Sequence, residues 1–208
     1  NALCVHLTYV PYLAAAGELK TKPTQHSVKE LQSVGIQPDI LVLRTEHNLN
    51  TNLKKKVALF CNVDESAVVQ SMDMPTIYEV PLRMQEQKLD VTILEKMGLP
   101  VGETPELGPW KEFLNRRHNA TEKVTIGLVG KYDLQDAYKS ILEALSQAAT
   151  YNDRKADIHF INSEKLTDEN IEEMLKDMDG VIICPGFGQR GIEGKFVALK
   201  YCRTHDVP

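Results

Sequence analysis

The chain has 208 residues, 42% of them hydrophobic and 25% charged, which fits two small or partial globular domains and excludes a disordered or fibrous protein. The net charge of -5 arises from 24 basic and 29 acidic side chains mixed along the chain, so neither a nucleic acid nor an anionic membrane is an expected partner. No apolar run approaches the ~20 residues that span a bilayer, and no secretory signal opens the sequence, so we expect a cytoplasmic protein.

The cysteines and histidines predict no metal site. Cys4, Cys61, Cys184 and Cys202 are widely separated and include no C-x-x-C pair. Most of them lie in apolar segments, where a free thiol packs as a small hydrophobic group. The six histidines have no metal-ligand spacing either. We therefore expect neither disulfides nor zinc.

The first hundred residues predict alternating strands and helices. Strands are expected over residues 3–10, 40–43 and 67–69, and helices over 24–34, 52–61 and 77–98, with a loop over 12–23. The continuous apolar run at 40–43 is typical of a parallel strand that is covered on both faces. Strands that alternate with helices predict a parallel sheet, and hence an α/β fold.

Two details of these helices can be predicted. Ser27 and Glu30 have the spacing of a capping box near the start of the first helix. In the second helix, Leu53, Val57 and Phe60 have the spacing of an inward face.

A second α/β pattern follows a weakly patterned segment. Residues 101–122 contain several glycines and prolines and are the expected interdomain connection. Strands are then expected over 124–129, 158–161 and 181–184, and helices over 137–151, 167–178 and 194–203. These three βα units form the first half of an open sheet.

The segment GELKTKPTQHSVKEL, residues 17–31, is a candidate anion site. Lys20 and Lys22 supply positive charge, while Thr21, Thr24 and Gln25 can donate directional hydrogen bonds. The segment leads into a helix N-terminus, where free N–H groups favour a phosphate. A polar loop with solvated lysines has the same composition, and spacing does not decide between the two.

The segment GELKTKPTQHSVKEL, with GIQPDILVLR and KKKVALFCNV after it, resembles the synthetase domain of the CTP synthase family. The resemblance covers residues 2–98. It implies a P-loop-related α/β fold that phosphorylates O4 of UTP and lets ammonia displace the phosphate. It also implies that the following residues contact the triphosphate of UTP or of the inhibitor CTP: Lys20, Thr21, Lys22, Pro23, Thr24, Gln25 and Lys56. From the residues alone, the run Lys54-Lys55-Lys56 is also typical of a solvated helix face.

The same resemblance implies an ATP site. Met72, Asp73 and Met74 match the family stretch that meets adenine, through backbone contacts. Arg44 follows an expected strand and so lies where ligands collect in open α/β sheets, which makes it a candidate to flank adenine. A surface arginine that follows a strand is the alternative interpretation.

The second pattern resembles the class I glutamine amidotransferase domain of that family. The runs KVTIGLVGKY, DAYKS and PGFGQRG carry this resemblance. Its glycines let backbone N–H groups face the oxyanion that forms when a thiolate attacks the glutamine amide. This chain has PGFG where the family usually has PGGFG, and the spacing from GKY to DAY is one residue short. The alignment places Gly186 at the glutamine-contacting position.

These resemblances imply a domain plan and a function. Residues 1–100 are expected to be the late synthetase domain, 101–122 the connection and 123–208 the early amidotransferase domain. The implied reaction converts UTP to CTP with ATP, Mg²⁺ and glutamine, in a homotetramer with GTP as an effector. The P-loop, the magnesium ligands and the Cys-His-Glu triad are expected outside this chain, so the chain alone is expected to be inactive. Two alternatives are another synthetase with a fused amidotransferase, such as the cobyrinic acid diamide synthase type, and a noncatalytic CTP-binding paralogue with an assembly role.

Overall fold

The computed structural model describes residues 2–132 and 135–208, and the chain divides into two compact units, Asn1–Leu107 and Gly108–Pro208. Each unit contains a three-stranded parallel sheet with helices, which confirms the predicted α/β class. Within these described ranges, no helix is long and apolar enough to cross a membrane.

The first unit is built around the central strand of its sheet. In chain order its elements are β1 (Val5–Tyr9), β2 (Tyr12–Leu13), β3 (Glu18–Leu19), α1 (Lys22–Ser33), β4 (Ile40–Thr45), α2 (Thr51–Cys61), β5 (Val68–Met72), α3 (Val80–Glu86) and α4 (Leu89–Lys96). Strands β1 and β5 both pair with β4 in parallel, so the order is β1-β4-β5. Strands β2 and β3 form a separate antiparallel hairpin, within the segment that was predicted as a loop.

Strand β4 is covered on both faces, as its apolar run predicted. Leu41 and Leu43 lie in one buried cluster with residues of α1 and α2. Ile40 and Val42 lie in another cluster, against which side chains of α3 and α4 pack. Because successive side chains of a strand alternate between its faces, a continuous apolar run is what two covered faces require.

Helix α1 begins earlier than predicted. Lys22 is its first residue, and Pro23 lies in the first turn, where its missing N–H breaks no helical hydrogen bond. Ser27 therefore lies inside the helix, and its Oγ is 2.9 Å from His6 Nε2. The predicted capping box of Ser27 and Glu30 is wrong.

Helix α2 buries a narrower face than predicted. Its buried side chains are Val57, Ala58 and Cys61. Phe60 is 58% exposed, so its predicted inward position is wrong. The buried face of the helix instead includes Cys61, the residue that follows Phe60.

A side chain bonds the outer edge of β5. The Gln87 side-chain carbonyl accepts from the Gln70 N–H at 2.8 Å, and its amide donates to the Gln70 carbonyl. The next residue, Lys88, has a φ of 57° and separates α3 from α4. The single helix predicted over residues 77–98 is therefore wrong, because the segment forms a short 3₁₀ turn and two helices.

The second unit has the same kind of layered sheet. Its elements are α5 (Gly108–Asn119), β6 (Lys123–Gly130), α6 (Lys139–Tyr151), β7 (Lys155–Asn162), α7 (Ile171–Leu175), β8 (Gly180–Ile183) and α8 (Ile192–Thr204). All pairing is parallel, in the order β7-β6-β8. Leu128 packs with side chains of α6 on one face of β6, and Val129 packs with α7 and α8 on the other.

Helix α7 is shorter than the predicted helix over 167–178. Asn170 accepts a hydrogen bond from the Thr167 N–H at 2.9 Å and donates to the Lys165 carbonyl at 2.8 Å, which closes a turn before the helix begins. At the other end, the Asp179 N–H already bonds the Thr125 carbonyl at 2.8 Å, so the chain has joined the sheet. Helix α5 also lies within residues 101–122 and belongs to the second unit.

Candidate functional site

The three parallel strands of the first unit end at one edge, and two of the candidate ATP residues meet there. Arg44 Nε donates to Asp73 Oδ1 at 2.9 Å. The Asp73 N–H donates to the Thr45 carbonyl at 2.9 Å and so extends the pairing of β4 and β5 by one bond. The carboxyl edge of an open parallel sheet is where ligands bind in such folds. Met72 and Met74, on either side of Asp73, are both half-buried.

The same edge carries aromatic groups that the sequence did not reveal. The Tyr9 hydroxyl donates to Glu46 Oε1 at 2.7 Å, and this hydrogen bond is the main cause that raises the pKa of Tyr9. The rings of Tyr12 and His47 lie 4.0 Å apart between centroids. Tyr12 and His47 follow within a few residues of the ends of β1 and β4, and this is the sequence signal that could have identified them.

The residues of the candidate triphosphate segment divide into inward and outward groups. Thr24 is fully buried, and its hydroxyl bonds the Tyr9 carbonyl and the Thr8 hydroxyl, each at 3.2 Å. Thr21 is also buried and accepts from the Gln25 amide at 3.3 Å. Lys22 and Pro23 are exposed. The Thr24 side chain therefore fixes the first turn of α1 against β1, the Thr21 hydroxyl bonds within that turn, and Lys22 faces solvent.

Lys20 and Lys56 lie close to one carboxylate, that of Glu18. The Lys20 ammonium donates to Glu18 Oε1. This hydrogen bond, then the charge of Lys20 and also the charge of Lys56, lower the pKa of Glu18. Lys20 follows β3 and Lys56 belongs to α2, so the fold brings together two candidate ligands that are distant in sequence. Two lysines therefore lie near the start of α1, and the Glu18 carboxylate balances one of their charges.

The three consecutive lysines of α2 have different surroundings. Lys54 is half-buried and donates to Gln87 Oε1 at 3.2 Å, and its burial lowers its pKa. Lys55 and Lys56 are exposed. Lys56 alone of the three acts on the pKa of Glu18. The three lysines therefore do not share one solvated face, because Lys54 is half-buried and bonded to Gln87.

In the second unit, a glycine loop, residues 185–191, follows β8 and meets the end of β6. Lys131, directly after β6, is only 7% exposed, and its ammonium donates to the Phe187 carbonyl. Gly186 packs on the same lysine, since a Cβ added there would lie 3.0 Å from Lys131 Cε. Phe187 is 97% exposed. Residues 133 and 134, which fall between the GKY and DAY runs, lie outside the described residues.

The end of the glycine loop is held by close backbone packing. A Cβ added to Gly194, in the first turn of α8, would lie 1.7 Å from the Ser163 carbonyl oxygen. Gly191 has a φ of 74°, and a Cβ there would lie 2.4 Å from Ser163 Oγ. Arg190 also forms an ion pair of 2.7 Å with Glu164, the residue that follows Ser163. Only glycine fits at positions 191 and 194 without displacing residue 163.

The cysteines are suited to packing. Cys184 is 2% exposed, and its burial raises the pKa of its thiol to about 11. A thiol with this pKa is protonated at neutral pH and is a poor nucleophile. Burial also raises the pKa of Cys61 and Cys202. Across residues 2–132 and 135–208, no group of three His, Cys, Asp or Glu side chains could hold a metal ion.

The two α/β units fit the class of synthetases that carry a glutamine amidotransferase domain. The first unit has lysines around the start of a helix, and the second has a glycine loop after a parallel strand. The family model described as CTP synthase N-terminus matches residues 1–99. The model described as glutamine amidotransferase class-I matches residues 133–208. The chain belongs to the CTP synthase family.

Similar proteins support this assignment along the whole chain. A CTP synthase of Bacteroides thetaiotaomicron is 78% identical over 210 residues, and one of Bacteroides fragilis is 77% identical over 209 residues. A CTP synthase of Porphyromonas gingivalis is 66% identical over 209 residues. Each alignment covers 100% of this chain, and the chain spans 39% of the length of each relative.

Proposed function

We propose that this chain forms part of an enzyme that converts UTP to CTP with ATP and with ammonia from glutamine. Its first unit would be the late part of a P-loop-related synthetase domain, and its second unit the early part of an amidotransferase domain. The corresponding ranges are residues 1–100 and 123–208, joined by 101–122. The family, and relatives that are named CTP synthases, support this proposal.

The triphosphate of UTP or CTP binds near the start of α1. Lys20, Lys22 and Lys56 supply charge there, and the first turn of the helix supplies free N–H groups. Because the hydroxyls of Thr21 and Thr24 face inward, these residues act through their backbone and by holding the turn. Pro23 fixes the direction of the turn, and Gln25 remains close enough to donate from its half-buried amide.

ATP binds at the carboxyl edge of the sheet. The exposed guanidinium of Arg44, held by Asp73, is suited to lie against adenine, and backbone groups of Met72, Asp73 and Met74 face its edge. The reaction also requires Mg²⁺, which prefers several oxygen ligands. The described residues lack a carboxylate cluster of this kind, so we assign no step of the reaction to Mg²⁺ within this chain.

The remaining partners follow from the same assignment. Glutamine binds beside Gly186, where backbone N–H groups can stabilise the oxyanion of amide cleavage. We also propose a homotetramer in the cytoplasm with GTP as an effector. The noncatalytic CTP-binding alternative receives no support from the similar proteins, which are named CTP synthases.

The cluster of Lys20, Lys56 and Glu18 is the observation that carries the nucleotide assignment, because it brings charge from two elements to the start of a third. The test is a chimera in which this chain replaces the matching segment of the Bacteroides thetaiotaomicron CTP synthase. CTP formation from UTP, ATP and glutamine should approach that of the parent enzyme. A folded chimera that binds neither UTP nor CTP would overturn the proposal. One that binds CTP without forming it would favour the noncatalytic alternative.

A further inference from the structure

Two lysines from different elements hold main-chain carbonyls of the segment that opens the glycine loop. Lys131, after β6, donates to the Phe187 carbonyl. Lys195, in α8, donates to the Cys184 carbonyl at 2.8 Å. Cys184 comes directly before the loop and Phe187 lies within it, so the two bonds fix this segment at both of its ends.

The bond from Lys131 determines where the next N–H group points. In a trans peptide the carbonyl of one residue and the N–H of the following residue point in opposite directions, and the described residues include no cis peptide. The Phe187 carbonyl points toward buried Lys131, so the N–H of Gly188 points away from the interior. Gly188 has a φ of 78°, a conformation that side chains disfavour.

The N–H groups of this segment are available to a ligand. Within the part of the chain that the structure describes, no hydrogen bond uses the N–H of Gly186, Phe187 or Gly188. The bond from Lys195 to the Cys184 carbonyl fixes the direction of the chain. It orients no N–H donor, because the nitrogen of the next residue, Pro185, carries no hydrogen. The loop therefore presents consecutive unpaired donors on an exposed surface.

We propose that Lys131 and Lys195 are positioning residues for glutamine cleavage, and that the Gly188 N–H, together with that of Gly186, faces the oxyanion. The oxyanion is the former amide oxygen of glutamine, which gains negative charge when a thiolate adds to the amide carbon and before ammonia leaves. Donors that are fixed in advance stabilise this charge without reorganisation. This inference rests on the proposed glutaminase role of the second unit.

The test uses the chimera described above, with glutamine-dependent and ammonia-dependent CTP formation measured side by side. Lys131→Met should lower the kcat of glutamine hydrolysis by about 10- to 100-fold, with a smaller change in KM, because misplaced donors stabilise the transition state less. Lys131→Arg, which keeps a donor, should restore part of the loss. Lys195→Met should act in the same direction, and Lys200→Met, an exposed lysine of the same helix, should not.

Ammonia-dependent CTP formation bypasses the loop and should keep the rate of the unmodified chimera in every variant. Glutaminase activity that survives both Lys131→Met and Lys195→Met would overturn the inference. Loss of both activities together in the two variants would also overturn it, because it would indicate a general structural role. An unmodified chimera that uses ammonia but never glutamine would instead contradict the proposed function of the second unit.

Discussion

Arg44 and Asp73 form an ion pair of 2.9 Å that joins the ends of two neighbouring parallel strands. Both side chains are largely exposed, at 62% and 43%, so the pair contributes little to stability. Its effect is to hold the guanidinium in one orientation at the edge where adenine is proposed to bind.

Arg44→Ala in the chimera should raise the KM for ATP by roughly 3- to 30-fold, the range of a lost contact between a cation and an aromatic ring. The thermal midpoint should not change, because an exposed pair stabilises the fold only weakly. Steady-state kinetics and thermal unfolding measure the two effects. Arg83→Ala, which removes another exposed paired arginine, is the matched control. An unchanged KM for ATP would show that Arg44 does not contact the nucleotide.

Lys22→Ala and Lys56→Ala should each weaken the binding of UTP and of CTP together, because both nucleotides present the same triphosphate. Each lost charge-assisted hydrogen bond costs about 1.5 to 3 kcal/mol. Calorimetric titration of the 208-residue chain and inhibition of the chimera by CTP measure this. Lys55→Ala, an exposed neighbour on α2, should bind normally. If Lys56→Ala bound UTP and CTP as tightly as Lys55→Ala does, Lys56 would not belong to the nucleotide site.

Gly194→Ala should destabilise the second unit by about 2 kcal/mol or more, because the new methyl group would overlap the Ser163 carbonyl. Trp110 is the single tryptophan of the chain and lies in α5 of that unit, so its fluorescence during urea unfolding reports on this unit. Lys200→Ala, at an exposed position of the same helix, serves as the control. Equal unfolding midpoints for the two variants would contradict the close packing of α8 on residue 163.

The buried thiol of Cys184 predicts a dependence of stability on alkaline pH. Its pKa rises from 9.0 to about 11 in the folded chain. Below pH 9 both states keep the proton, and this group contributes nothing. Between pH 9 and 11 the unfolded state loses the proton while the folded state keeps it, so stability falls as the pH rises, by about 1 kcal/mol at pH 10.

Urea unfolding at pH 8 and pH 10 measures this loss. Cys184→Ala should lose less stability between the two pH values than the unmodified chain. Cys4→Ala, which removes a thiol outside the core clusters, should behave like the unmodified chain. An equal loss in the two variants would mean that Cys184 does not titrate in this range.

The α/β class and the order of the main elements followed from apolar periodicity, because strands covered on both faces have continuous apolar runs. Predictions of helix ends failed where a distant partner decides them. Ser27 has the spacing of a cap, yet α1 already begins at Lys22, and inside the helix the Ser27 hydroxyl bonds His6 of β1. The break between α3 and α4 depends on Gln87, which bonds a strand that is 17 positions away. Local patterns contain no information about such contacts.

The candidate site, too, was only partly predictable from the sequence. The sequence placed Lys20 and Lys56 at one nucleotide only through the family resemblance, and the structure brings both near Glu18. The buried lysine under the glycine loop was not predicted, because a lysine after a strand is ordinarily solvated. Its partner, the Phe187 carbonyl, lies 56 positions away, so no spacing rule could have revealed it.

The bonds between Gln87 and Gln70 also limit how the first sheet can grow. A strand that approached β5 from outside would need the same N–H and carbonyl of Gln70, which the side chain of Gln87 already occupies. The ammonium of Lys54 bonds that amide as well and adds charge beside the edge, a common protection against unwanted strand pairing. Strand β1 forms the opposite edge of this sheet, and its Leu7 side chain is 64% exposed. Any further strand of a longer protein should therefore add beside β1, and association of copies through β5 should be disfavoured.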